Sequence, residues 1–186
     1  MTFRRMRDAT REEWETIERI EAELYNPADG ALALLDTLRE APLAGHPVNG
    51  YDHSLQAATR AVRAGEPDDM VVACLLHDTA VAIAPANHGQ VAAEMLRPYV
   101  SDETYWVVKH HGIVQKLQMV NHPYWGSGVA EEVVGPLRSH PHFERTVQFC
   151  NDYDGASFDP EYESLPLEAF EAQVRAVFDR EAFRPA

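Results

Sequence analysis

Residues 70–78 read Met-Val-Val-Ala-Cys-Leu-Leu-His-Asp, so the most apolar run of the chain ends in two ionisable residues. The run is far shorter than the roughly 20 apolar residues of a bilayer span, and it predicts a helix buried in a protein core. An isolated buried carboxylate is costly, whereas a divalent cation satisfies Asp and His together. The segment therefore predicts a buried helix that ends in His77 and Asp78, which either form a hydrogen-bonded pair in the core or bind a metal.

Apolar residues recur at three- and four-residue spacing along almost the whole chain, which predicts an all-α fold. Residues 1–186 are expected to form a single domain, because a chain of this length buries one core and is too small for several. Thr10 and Glu13 predict a capping box for the first helix, and Asp52 is placed to cap a later one. The first helix carries an apolar stripe formed by Trp14, Ile17, Ile20 and Leu24. Further helices are predicted around Leu32–Leu38 and over 52–65, 67–78, 86–97, 102–111, 128–138, 143–154 and 166–182, with 112–128 unassigned.

Composition excludes several classes of function. Thirty acidic against sixteen basic side chains give a formal charge of -14, which repels phosphate backbones and makes nucleic acid an unexpected partner. No run is long enough for a membrane span, and the first residues lack the apolar core of a signal peptide, so we expect a cytoplasmic protein. Cys74 and Cys150 lie in apolar surroundings and are expected to be reduced core residues.

Four further polar residues fall on the inward faces of the predicted helices. His88 leads a stripe with Val91 and Met95, and Asp154 ends the series Phe143, Val147, Cys150, whereas Asp152 falls off that stripe. His111 follows Val107 and Val108 by four and three residues, which favours it over His110 as the inward histidine. His53 opens a helix whose small residues allow another helix to approach closely. Four histidines and two aspartates in one apolar interior predict a metal site, because many polar atoms would otherwise need partners.

The order His53, His77-Asp78, His88, His111, Asp154 resembles the HD-domain metalloprotein superfamily, over about residues 50–155. That superfamily is all-helical, so the resemblance implies a helical bundle with a buried metal site and flanking N- and C-terminal helices. The two additional histidines imply two metals. The resemblance then implies that Asp78 bridges, with His53, His77 and Asp154 on one metal and His88 and His111 on the other.

Two branches of the superfamily compete. Residues 53–58, His-Ser-Leu-Gln-Ala-Ala, look like the opening of myo-inositol oxygenase and of the oxygenases that cleave hydroxylated aminophosphonates. Residues 87–96 and Tyr153-Asp154 are similar to later segments of the same enzymes. The His-Ser-Leu-Gln opening also occurs in HD nucleotidases, but those carry a glutamate shortly after the His-Asp pair. Residues 79–86 contain no acidic residue, which favours the oxygenases.

The chain departs from the phosphonate oxygenases in the residues expected around the substrate. Those enzymes place a tyrosine and a glutamate ahead of the first histidine, and residues 41–46 here contain neither. They also carry a lysine four residues after the last histidine, where this chain has Gln115 with Lys116 beside it. The candidate substrate-binding residues are therefore His46, Tyr51, Gln115 and Lys116.

The resemblance implies a non-haem diiron oxygenase that binds a small hydroxylated substrate, phosphonate- or polyol-like, at a mixed-valent Fe2+/Fe3+ pair and cleaves it with O2. Histidine and carboxylate ligands also suit manganese, zinc or another divalent metal. The alternative is a metal-dependent HD phosphohydrolase acting on a nucleotide or other phosphoester. Its substrate would need compensating positive charge, for which the surroundings of the proposed site offer only Lys109, Lys116, Arg60 and Arg145. A third possibility is a non-catalytic helical module with a structural metal; the sequence leaves the oligomeric state open.

Overall fold

A computed structural model describes residues 1–41, 43 and 45–183, and within these residues the chain is all-helical with no strand, as predicted. The α-helices in this part of the chain are α1 (Arg11–Leu24), α2 (Pro27–Asp36), α3 (Gly50–Arg63), α4 (Asp68–Leu76), α5 (His88–Leu96), α6 (Asp102–Val114), α7 (Val129–Val134), α8 (Phe143–Phe149) and α9 (Glu168–Phe178). Short 3₁₀ turns and one π-helical turn connect them. None of the described helices combines the length and the apolarity that crossing a bilayer requires.

Helix α4 lies at the centre of the core. Every residue from Met70 to Leu76 is buried, and each large apolar side chain among them stabilises the fold by about 1.5–3 kcal/mol. Ala57 and Ala61 of α3 are also fully buried, and such small side chains permit the close packing of α3 on α4. The apolar run therefore places His77 and Asp78 directly after seven consecutive buried residues of α4. Cys74 and Cys150 are both buried free thiols.

Helices α5 and α6 pack closely because Gly89 lacks a side chain. A methyl group on Gly89 would lie 2.9 Å from Cε1 of His111 and 3.0 Å from the carbonyl oxygen of Val108. Real Cβ atoms do not approach other atoms so closely, so any larger residue would push the two helices apart. This contact brings His88, the first residue of α5, beside His111 of α6.

Of the two predicted N-terminal helix caps, the structure has one. Thr10 and Glu13 form the predicted capping box of α1. Asp52 does not cap α3; instead the side chain of Asn49, whose backbone is extended, accepts a hydrogen bond from the Asp52 backbone N–H at 2.7 Å. The helix therefore begins at Gly50, two residues earlier than predicted.

Three other expectations need correction. The stripe of α1 is not a core face, since none of its residues is buried and its Leu24 is 69% exposed. In α5 the buried face is made of Gly89, Ala92, Ala93 and Leu96, whereas Val91 is exposed. The predicted helix over 143–154 is α-helical only to Phe149 and continues as a π-helical turn over Cys150–Asp154. The unassigned region 112–128 contains the end of α6 and two 3₁₀ turns, Gln115–Gln118 and Trp125–Ser127.

Candidate metal centre

The six predicted ligands converge around the carboxylate of Asp78. They come from separate places in the fold, since His53 lies on α3, His111 on α6 and His88 at the start of α5. His77 directly follows α4, and Asp154 closes the π-helical turn, an irregularity that is frequent at functional sites. The folded chain therefore gathers residues that are up to about a hundred positions apart in sequence.

The first set of ligands is His53, His77 and Asp154, and all three side chains are buried. The Nε2 atoms of the two histidines lie 3.2 Å apart. Oδ1 of Asp154 lies 3.4 Å from Nε2 of His53 and 3.7 Å from Nε2 of His77. Oδ2 of Asp78 faces the same two nitrogens at 3.7 and 3.6 Å. Four side-chain donors thus surround one point, and this set could hold a metal ion.

The second set uses the other oxygen of Asp78. Oδ1 lies 3.2 Å from Nε2 of His88 and 3.4 Å from Nε2 of His111, and these two nitrogens are 3.2 Å apart. His111 is buried, whereas the side chain of His88 is 22% exposed. Three donors therefore surround the second point, one fewer than the first.

Backbone carbonyl groups fix the orientation of all four histidine rings. Each Nδ1 lies within hydrogen-bond distance of a carbonyl oxygen: Ser157 for His53, Cys74 for His77, Pro85 for His88 and Val108 for His111, at 2.9, 2.9, 3.2 and 2.6 Å. A carbonyl can only accept, so Nδ1 carries the proton and Nε2 of the neutral ring presents a lone pair. Two lone pairs facing each other at 3.2 Å repel unless a cation lies between them. Such outer hydrogen bonds are the usual support of metal-bound histidine.

The carboxylates are ready to act as ligands. Burial would raise the pKa of Asp154, but without a metal the two rings can carry a proton on Nε2 as well, and the hydrogen bonds that His53 and His77 then donate outweigh burial and hold that pKa well below its usual range. Burial opposes ionisation of Asp78 in the same way, and the positive potential of His77 and His111 again lowers the pKa. Both groups are therefore anions at neutral pH. Oδ1 of Asp78 and Oδ2 of Asp154 are buried without a hydrogen-bond partner, which leaves them available to a cation.

A cavity of about 570 Å³ opens onto this centre. It reaches His53, Asp78, His88 and Asp154, and therefore borders both sets of ligands. The rest of its described wall is formed by Leu38, Ala41, Leu43, His46, Val48, Asn49, Gly50, Val81, Gln115, Gln118, Met119, Gly155 and Phe158. Its volume is in the range of pockets that enclose small organic ligands.

Two of the four candidate substrate-binding residues line this cavity. Gln115 does so while its side-chain amide donates to Oδ1 of Asp154 at 2.9 Å, and His46 stacks on Phe158 with ring centres 5.3 Å apart. Tyr51 does not line the cavity, because it is buried in the core with its hydroxyl bound by Arg39.

Lys116 also lies away from the cavity. Its ammonium donates to the Gly112 carbonyl at 2.6 Å and lies over the Trp125 ring. It borders a separate recess of about 90 Å³ that includes His88.

The alternatives to His111 and Asp154 lie outside the cluster. Nδ1 of His110 bonds to the Trp106 carbonyl, and its ring packs against the Trp106 ring. Asp152 is exposed, whereas Asp154 is 1% exposed. Helical-face reasoning therefore selected the two residues that the fold turns inward.

The sequence did not indicate several residues around the centre. Phe158 packs against His53 with ring centres 4.6 Å apart, and Met119 and Gln118 line the cavity from the segment that had no predicted structure. Only the proximity of Phe158 to Asp154 in the chain could have suggested the first of these. The carbonyl groups that orient the rings carry no sequence signal, since every residue has one.

The histidine nitrogens and carboxylate oxygens together fit one or two divalent metal ions that bind both nitrogen and oxygen ligands. A buried cluster of His53, His77, His111, Asp78 and Asp154 could hold a metal ion, and His88 faces the same carboxylate. Comparison of the chain with known protein families and with curated proteins gave no match.

Proposed function

We propose that the protein is a dinuclear metal oxygenase that binds a small hydroxylated substrate and cleaves it with O2. The observation that carries the proposal is the position of the Asp78 carboxylate, each oxygen of which faces its own pair of histidine nitrogens. A carboxylate placed in this way suits two metal ions about 3.5–4 Å apart. The order of the ligands along the chain resembles that of the HD-domain oxygenases and supports the same conclusion.

The difference between the two ligand sets supports a reaction rather than a purely structural role. A structural metal is fully coordinated by protein, whereas a catalytic metal keeps open positions. Both sets border the cavity, but the second supplies three donors where the first supplies four, and its His88 is more exposed than either histidine of the first set. When bound, an iron pair would supply coordination positions for substrate oxygen atoms and O2, and it would exchange electrons with them.

The residues of this chain would hold and shield the reacting groups. Gln115 fixes Oδ1 of Asp154 through its amide, and the carbonyl groups behind the histidines keep each Nε2 aimed at the centre. Apolar side chains such as Val81 and Phe158 border the cavity and limit access of water to it. The protein thus contributes geometry and a dry environment.

The competing phosphohydrolase is less well supported because its substrate carries a compact double negative charge. Arg145 is paired with Glu66 and Glu103, and Lys109 contacts Tyr105 and Glu94. Neither these residues nor Lys116 and Arg60 line the described wall of the cavity. A phosphoester would therefore depend on the metals alone for compensating charge.

The test is electron paramagnetic resonance on protein expressed with iron and partly reduced with ascorbate, together with total metal analysis. A low-temperature signal below the free-electron value at about two irons per chain supports the proposal, and screening for O2 uptake with hydroxylated compounds follows. One metal per chain, no coupled signal and phosphate release from phosphoesters would instead establish the phosphohydrolase.

A further inference from the structure

The wall of the cavity beyond the metal ligands is largely apolar. Its aliphatic and aromatic members are Leu38, Leu43, Val48, Val81, Met119 and Phe158. Burying methylene groups against such side chains is favourable, and burying a charge there without a partner is strongly unfavourable. The wall therefore favours substrates whose portion away from the metals is apolar over substrates in which that portion is charged.

The polar side chains of the wall are few and already engaged. Oδ1 of Asn49 accepts from the Asp52 backbone, and the amide of Gln115 donates to Asp154. The amide of Gln118 donates to the Cys150 carbonyl and to Asn151, both at 2.8 Å. A polyol needs a hydrogen-bond partner for each hydroxyl that it buries, and these committed groups offer few.

No lysine or arginine lies among the described lining residues. Of the basic side chains around α3, the guanidinium of Arg39 is bound to Asp36 and Tyr51, and that of Arg60 lies over the Tyr162 ring. His46 is the lining histidine outside the ligand sets, and its ring stacks on Phe158. An anionic group away from the metals would thus lose its hydration without gaining a fixed counter-charge.

We propose that the substrate is a vicinal diol, or a related molecule that binds metal through two oxygen atoms. The rest of the molecule, its body, is uncharged and apolar. This inference rests on the function proposed above and adds the class of substrate. The oxygen atoms would face the centre, and the body would lie against the apolar wall. A polyol with hydroxyls all round, or a molecule ending in a phosphonate remote from the metals, fits this wall poorly.

The experiment measures dissociation constants by ligand-observed NMR for the 1,2-diols from butane to octane, with metal-loaded and with metal-free protein. Each added methylene should tighten binding about three- to fourfold, as expected for burial of one methylene. 7,8-Dihydroxyoctanoate has the same diol and a charged tail, and it should bind at least about tenfold more weakly than 1,2-octanediol. Equal affinity along the series, or tighter binding of the carboxylate, would overturn the inference.

Matched variants locate the effect. Val81→Thr and Met119→Gln preserve size but add polarity to the wall, so each should flatten the dependence on chain length. Val91→Thr makes the same change on the exposed face of α5 and should leave the dependence unaltered. An unchanged dependence in both wall variants would place the diols elsewhere and contradict the inference.

The experiments can refute the proposed substrate class and the proposed oxygenase function independently. The dependence on chain length reports on the wall and is read even from metal-free protein. Loss of that dependence, in protein that binds two metals and shows O2 uptake, would overturn the substrate class and leave the oxygenase standing. A preserved dependence in protein that binds one redox-inert metal would support the apolar substrate and overturn the oxygenase.

Discussion

The two histidine pairs on either side of Asp78 have the same local construction but different enclosure. In both pairs the Nε2 atoms are 3.2 Å apart and each Nδ1 is held by a backbone carbonyl. The first pair has Asp154 as a further ligand and side-chain exposures of only 4% and 0%. The second has no such carboxylate, and His88 is 22% exposed at the cavity. Under the proposed function, the more enclosed set (the closed set) would retain its metal and the more exposed set (the open set) would bind substrate.

Removing Asp78 should have the largest effect, because it is the ligand that the two sets share. In Asp78→Ala, metal content should fall from about two ions per chain to almost none, and activity should disappear. Inductively coupled plasma mass spectrometry gives the metal content. Asp152→Ala removes an exposed carboxylate nearby and should retain both metals; retention of both in Asp78→Ala would show that the sets are independent.

Removing one histidine from each set should separate them. His111→Ala should lose the metal of the open set and keep that of the closed set, because four donors remain there. His53→Ala should weaken the closed set, while its open set retains His88, His111 and Asp78. Metal content and the coupled iron signal measure both effects, and equal metal content in His111→Ala and the unaltered protein would refute the ligand assignment.

Gln115 contacts only the closed set. Gln115→Ala leaves Oδ1 of Asp154 without its amide donor, and loss of such a support typically weakens metal binding about 10–100-fold. Competition with a chelator measures the affinity. Gln173 donates to Asp68 and lies outside the described wall of the cavity, so Gln173→Ala is the matched control, and an equal loss in both variants would remove the special role of Gln115.

Gly89 affects the open set through packing. In Gly89→Ala the new methyl group would meet the His111 ring and the Val108 carbonyl, and such overpacking costs about 1–3 kcal/mol. The metal of the open set should be lost first on chelation. Denaturant unfolding of the metal-free protein measures the cost. Gly30→Ala, where nothing lies within 4 Å, provides the control, and equal stability of the two variants would contradict this packing.

A substitution in α1, which supplies no ligand to either set, should leave the metal content of both sets unchanged. Hydrogen bonds from the Thr10 and Thr2 backbone lower the pKa of Glu13 from 4.5 to about 2. Because the folded pKa is depressed, this stabilisation of α1 is present above pH 4.5 and is lost as the pH falls towards 2. Glu13→Gln should abolish that dependence, measured by hydrogen exchange in α1, without changing metal content at pH 7. A change in metal content would show that α1 is coupled to the centre.

Sequence periodicity predicted the helices and the inward position of His111 and Asp154, because a buried helical face repeats every three or four residues. It did not establish what covers α1, whose apolar stripe resembles a core face although Trp14 and Ile17 are only half-buried and Leu24 is exposed. Periodicity describes one helix at a time and does not specify what covers it. The pairing of His88 with His111 depends on the close contact at Gly89, which is visible only in three dimensions.

The surroundings of the centre were less predictable than its ligands. Tyr51 and Lys116 were predicted to take the places of the tyrosine and the lysine of the phosphonate oxygenases, but their side chains turn to Arg39 and to the Gly112 carbonyl. Phe158 and Met119 came from segments with no functional signal. Ligand residue types carry their chemistry in the sequence, whereas a cavity wall is assembled from ordinary apolar residues by the fold.

The proposed bridging role of Asp78 is tested most directly by a crystal structure of the metal-loaded protein with anomalous diffraction. Two anomalous peaks about 3.5–4 Å apart are expected. One should lie among His53, His77 and Asp154 and the other between His88 and His111, with one Asp78 oxygen on each. A single peak with Asp78 bound to it through both oxygens, and no metal at His88 and His111, would contradict a dinuclear centre.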